Sequence, residues 1–175
     1  HGELKVRGLE MRRRDTPGYV KHVQARLLDL LEDAGSINQI RIRIPALIEE
    51  VRFYLHELRQ GRVDPRDLLI RRRVQKKNNE YRNNNLNALV VRDLASRGIQ
   101  VQPGEIIEFI ILDQTGKRDP RKARSLLTYQ PEDGYDTEKY TEQLLKAVET
   151  LLAPFGYDMG HLEHLFGVKK RRRRN

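Results

Sequence analysis

The sequence predicts an α+β fold that is mostly helical, and three observations carry that expectation. Apolar residues recur at three- and four-residue spacing in several separate segments, as amphipathic helices require. One run, Ile106 to Leu112, reads strongly as a strand. Gly, Pro and Asp-Pro breaks divide the segments at intervals suited to short connections. The 175 residues suffice for one domain with appendages.

Taken in order, Leu4 to Glu10 alternates as a short strand, with Gly8 as a point of close approach. A lone strand cannot stand by itself. Leu4, Val6, Arg7, Gly8 and Leu9 are therefore expected to pair with a sheet in another chain, as a subunit interface. Asp15 or Thr16 is the expected N-cap of a first helix, about Pro17 to Ala34, with Val20, Val23, Leu27, Leu30 and Leu31 as its apolar stripe. Ser36 caps a short segment, Ile37 to Ile44, which Pro45 should interrupt. Ala46 to Gln60 forms the next helix, with Leu47, Ile48, Val51, Tyr54, Leu55 and Leu58 on one side and Gly61 as its stop. Asp64-Pro65 is a turn.

Leu68 to Gly98 is the stretch on which function is expected to rest. A basic strand or loop with Arg71, Arg72, Arg73, Lys76 and Lys77 leads through Tyr81, Arg82 and three asparagines. A helix with Leu86, Leu89, Val90 and Leu94 at helical spacing follows. Cations neutralise phosphates, and Asn and Tyr hydrogen-bond to phosphate or sugar. Composition alone weighs this evenly against a solvated charged face. Beyond Gly98, residues Ile99 to Asp113 read as a hairpin-like unit turning at Pro103-Gly104. Gln114 to Gly134 is expected to be loop, its Lys117, Arg118, Arg121, Lys122 and Arg124 reaching phosphates or merely keeping the loop soluble, with the solvated reading preferred for any single one. Asp136 or Thr137 caps a helix from Glu138 to Ala153, with Tyr140, Leu144, Leu145, Val148 and Leu151 inward. Asp158 starts a last short helix, and Lys169 to Arg174 is a basic tail whose like charges repel.

The net charge of +9 and a pI near 9.9 favour nucleic acid or an acidic protein face as partner. The absence of Cys excludes disulfides, thiolate catalysis and Cys-based zinc sites, and fits a cytoplasmic setting. No apolar run approaches the ~18 residues a membrane span needs. Walker A, HExxH, GxSxG and dinucleotide-binding loops are all missing. His161 and His164 stand three apart, but no third ligand has matching spacing, so helix surface is preferred to metal. No catalytic residue and no cofactor of its own is expected for this chain.

LKVRGLEMRRRD resembles the RGLEIVRRD strand that ends the palm domain of family B DNA polymerases, although Thr16-Pro17 stands where a Trp usually follows. RDLLIRRRVQKKNNEYRNNNLNALVVRDLASRGIQVQPGEIIEFIIL resembles that family's thumb segment. Lys76 sits at the family's basic position, and Tyr81 and Arg82 at its Tyr-Lys pair. Leu86 and Asn87 replace a Pro-His, whereas Arg97, Gly98, Pro103 and Gly104 match directly. Tyr135, Asp136, Tyr140 and Gln143 correspond to a late helix, and FGYDMGHLEHLF to one near the family's C-terminus. The shared order of these motifs is more specific than any one of them.

The resemblance implies a thumb-like domain over residues 16–168, preceded at 1–15 by a terminal strand completing a palm sheet in another chain and followed at 169–175 by a basic disordered tail. It implies the small subunit of a split archaeal family B DNA polymerase, in a heterodimer with a large catalytic subunit carrying palm, fingers and exonuclease. The Mg2+ ions would be held there, since the palm aspartates and the nucleotide-binding helix of the fingers have no counterpart in this sequence. The chain would grip primer-template DNA through Arg71, Arg73, Lys76, Lys77, Tyr81, Arg82, Asn85, Asn87 and Arg97, in a nucleoid-associated setting with no membrane involved. The alternative is a free-standing nucleic-acid-binding module.

Overall fold

A computed structural model describes residues 15–75, 85–112 and 122–169. The expected strand at Leu4 to Glu10 and the end of the basic tail lie outside them, as do Lys76, Lys77, Tyr81 and Arg82.

Helix α1 spans Gly18–Leu31 and buries Val20, Val23, Leu27 and Leu31 along one stripe, with Leu30 half-buried beside it. Its N-cap is Pro17, not Asp15 or Thr16, and no side chain caps it. Pro17 has the extended ψ of a cap residue, and its carbonyl accepts from the amide of Lys21 at 3.1 Å. The helix also stops before the expected Ala34, with the amides of Glu32 and Ala34 turning back to Asp29 and Leu31.

Helix α2 is one continuous rod, Ile37–Arg59, not two segments broken at Pro45. Ser36 caps it, its hydroxyl accepting from the amide of Gln39, whose side chain in turn accepts from the amide of Gly35. Pro45 removes one helical hydrogen bond at a cost of about 3 kcal/mol. Against this, Ile44, Leu47, Ile48, Val51, Leu55 and Leu58 form an unbroken buried stripe across the proline. Each such side chain is worth roughly 1.5–3 kcal/mol. Packing therefore outweighs the local rule, and Pro45 itself lies on the exposed side.

A short 3-10 turn at Pro65–Leu68, capped by Asp64, delivers the chain into strand β1, Ile70–Arg73. Helix α3 is Leu86–Ser96, strand β2 is Ile106–Ile111 and strand β3 is Ala123–Ser125. The strands form one antiparallel sheet in the order β1-β2-β3. The register pairs Ile70 with Phe109, Arg71 with Glu108, Arg72 with Ile107 and Arg73 with Ile106.

Two expectations are corrected here. The Pro103-Gly104 turn forms, with Gly104 at φ 93°, but it does not join two strands. The partner of β2 is β1, far upstream; the amide of Gly104 donates to the carbonyl of Val74 just past the end of β1. The stretch expected to be loop up to Gly134 contains β3, held because β2 needs a second partner for its backbone groups.

Helix α4 spans Thr137–Leu152, capped by Asp136, and α5 spans Met159–Leu165, capped by Asp158. Helices α1, α2 and α4 pack together as the main apolar core, α5 closes on α4, and α3 packs against β3. Burial on α3 falls on Ala88, Val90, Val91 and Leu94, so the stripe is turned slightly from the expected one and leaves Leu86 and Leu89 half-buried. Tyr140 of α4 joins core to sheet: its hydroxyl donates to the carbonyl of Leu68 at 2.8 Å and accepts from the amide of Ile111 at 2.9 Å.

Candidate functional site

Strand β1 begins with an apolar residue and continues as three arginines. Side chains alternate across a strand, so Arg71 and Arg73 project to one side and Ile70 and Arg72 to the other. Ile70 fills the core. The guanidinium of Arg72 lies 5.7 Å from the Phe109 ring and donates to Asn87 Oδ1 at 3.3 Å. Arg73 donates from Nη1 to the carbonyl of Gly104 at 3.0 Å. Arg71 faces Glu108 directly across the strand pair, Nε to Oε2 being 3.8 Å.

Beside this strand the start of α1 and the 3-10 turn come close, enclosing a cleft of about 610 Å³. Lys21, Arg66, Arg71, Arg72 and Arg73 border it, and among the described residues Glu108 is the one carboxylate in its wall. Thr16, Gly18, Leu69 and Ile106 complete it. Lys21, Arg66, Arg71 and Arg73 thus bring cations from three separate segments to one concavity, where their summed charge raises the local positive potential, while Arg72 borders it from the other face of the strand. Arg71 and Arg73 project from the exposed face, the former 57% exposed, so their guanidinium groups remain open to water and to a ligand. Such a cleft can hold closely spaced anionic groups by hydrogen-bonded ion pairs.

The nine sequence-predicted binding residues do not form one cluster. Arg71 and Arg73 line the cleft. Asn87 stands behind it, holding Arg72. Asn85 is the N-cap of α3, its Oδ1 accepting from the amide of Ala88 at 2.8 Å. Arg97 lies at the other end of that helix, about 18 Å away at 1.5 Å per residue, and pairs with Asp93 at 3.3 Å. Lys76, Lys77, Tyr81 and Arg82 fall outside the described residues, as do Leu4, Val6, Arg7, Gly8 and Leu9. Arg124, expected in an exposed loop, is only 9% exposed and sits 3.9 Å from Asp133. Lys21 and Arg66 were missed, because no local pattern marks them; only the approach of α1 and the turn to β1 brings them in.

Several acidic side chains and one histidine are engaged elsewhere. Asp64, Asp136 and Asp158 cap helical segments, and Asp133 accepts from the amide of Gln130. His161 stacks on Tyr157 at 4.8 Å, with Nδ1 3.1 Å from the carbonyl of Gly156. Among the described residues no group of three His, Cys, Asp or Glu could hold a metal, and no helix is long and apolar enough to cross a membrane.

The fold and the cleft define a helix-rich α+β domain with a small antiparallel sheet and a cleft bordered by cationic side chains. Residues 1–155 match the model of DNA polymerase family B. A DNA polymerase of Thermococcus sp. (strain 9oN-7) is 31% identical over 157 residues, covering 89% of this chain and 19% of that protein. A DNA polymerase of Pyrococcus horikoshii is 34% identical over 158 residues, covering 89% and 12%. The family B DNA polymerase structure from the hyperthermophilic archaeon Pyrobaculum calidifontis superposes with a TM-score of 0.62 at 22% identity, over 76% of this chain and 17% of that one. This chain belongs to DNA polymerase family B, and spans between 9% and 19% of the length of such relatives.

Proposed function

We propose that this chain is the thumb region of a family B DNA polymerase, acting as the small subunit of a split enzyme and gripping the primer-template duplex through its phosphate backbone. Residues 16–168 form the thumb, 1–15 supply a last strand to the palm sheet of the large subunit, and 169–175 are a basic tail. Template-directed nucleotidyl transfer takes place in the large subunit, which carries palm, fingers and exonuclease and binds Mg2+.

The observation that carries this reading is the convergence of Lys21, Arg66, Arg71 and Arg73 on one cleft in a chain of this family. A polymerase must hold every sequence equally, and phosphate contacts provide that, because they carry no base information. Arg71, Arg73, Lys21 and Arg66 meet the backbone, Arg72 is braced by Phe109 and Asn87, and Lys76, Lys77, Tyr81 and Arg82 extend the contact. Asn85 shapes the start of α3, and Arg97 is a more distant contact. None of these groups performs chemistry. They hold the primer end where the reacting atoms lie in line, since small displacements forfeit much of the proximity advantage.

The test mixes this chain with the large catalytic polypeptide encoded by the same source. Primer extension that rises at least tenfold on mixing, with co-elution of the two chains, is the expected result. Tight duplex binding without any association would favour the free-standing nucleic-acid-binding module instead.

A further inference from the structure

A carboxylate is out of place in a cleft that collects anions, since it repels them. Glu108 nevertheless lies in the wall of the cleft, and the sheet register sets it directly opposite Arg71. Both side chains remain well exposed, at 57% for Arg71 and 39% for Glu108. Their separation of 3.8 Å is longer than the 2.7–2.9 Å of a strong charge-assisted hydrogen bond. Exposed pairs of this kind contribute little and exchange easily. The neighbouring arginines differ: Arg73 donates to a backbone carbonyl and Arg72 to an amide side chain, neither of them charged.

We propose that Glu108 is a placeholder for phosphate, occupying Arg71 whenever no backbone phosphate does. This rests on the duplex-gripping role given above and deepens it. As a duplex moves through the cleft, each phosphate leaves Arg71 before the next arrives. A bare guanidinium in that interval would hold the departing phosphate back. Glu108 takes over the guanidinium, so the ion pair is exchanged and not simply broken. The cleft thereby releases as well as grips, which suits a protein that must track along a product it has no reason to keep. A cross-strand pair serving the sheet alone makes a different prediction: its loss would lower stability and leave binding equal or weaker.

The experiment measures duplex affinity, dissociation rate and salt dependence for the 175-residue chain, Glu108→Gln, Arg71→Ala and the double variant. With Glu108→Gln we expect binding roughly two- to fivefold tighter at 0.1 M salt. The gain should appear as slower dissociation, with the slope of log K against log salt steeper by up to about 0.9. The gain should vanish in the Arg71→Ala background. Unchanged or weaker binding by Glu108→Gln, or a gain that persists without Arg71, would overturn the placeholder role. If the unaltered chain shows no salt-dependent duplex binding at all, the gripping role itself fails, which is a separate result.

Discussion

At the scale of single residues, Tyr140 does more than its burial suggests. Its ring is fully enclosed, and its hydroxyl both donates to Leu68 and accepts from Ile111. These backbone groups flank the sheet at the entry to β1 and the exit of β2, so one phenol fixes the position of the arginine-bearing strand against α4. Burial pushes the Tyr140 phenol well above its usual range, so it stays protonated and keeps its donor role. Tyr140→Phe would leave a buried carbonyl and a buried amide without their partner, at about 1–3 kcal/mol for each. Urea unfolding should accordingly show a loss of at least about 1 kcal/mol, and a loss near zero would mean that the sheet is anchored by other contacts. The arginines obey a different logic. Their value is electrostatic, and the sequence announces Arg71 and Arg73 as a run, but it is silent on Lys21 and Arg66, whose neighbours in the chain are unremarkable.

At the scale of elements, periodicity made the helices legible and pairing made the sheet obscure. The stripes of α1, α2 and α4 follow directly from the spacing of Val, Leu and Ile, and Ser36, Asp136 and Asp158 mark helix starts by their side-chain chemistry. Pro45 misleads because its penalty is local whereas the stripe from Ile44 to Leu58 is collective. Strand β3 is three residues, Ala-Arg-Ser, with no alternation to reveal it; its place comes from β2, which leaves backbone groups to be paired. For the same reason β2 suggested a local hairpin when its partner was the basic strand far upstream. Pro45→Ala restores the missing amide in α2 and should stabilise the fold by about 1–3 kcal/mol. The increase would appear as a higher midpoint in thermal unfolding. Destabilisation would instead show that Pro45 favours the packing of the stripe against α1 and α4 by more than the hydrogen bond it removes.

At the scale of the whole molecule, family membership and fold agree, and the cleft adds what neither contains. The sheet does not carry its cations on a flat face. It presents them beside the start of α1, so that residues separated in the chain act on one volume of about 610 Å³. That arrangement was unreadable from the sequence, because it depends on the packing of α1 against the 3-10 turn. A grip built this way should be indifferent to sequence and sensitive to salt, since phosphate neutralisation releases counterions. The most direct measurement is therefore the affinity of the chain for two duplexes of unrelated sequence across a salt series, with and without Arg71→Ala and Lys21→Ala. The expected outcome is equal affinity for the two duplexes and a linear fall of log K with log salt. Each substitution should reduce that slope by up to about 0.9. Affinity that depends on base sequence, or a slope untouched by removing both cations, would contradict the account.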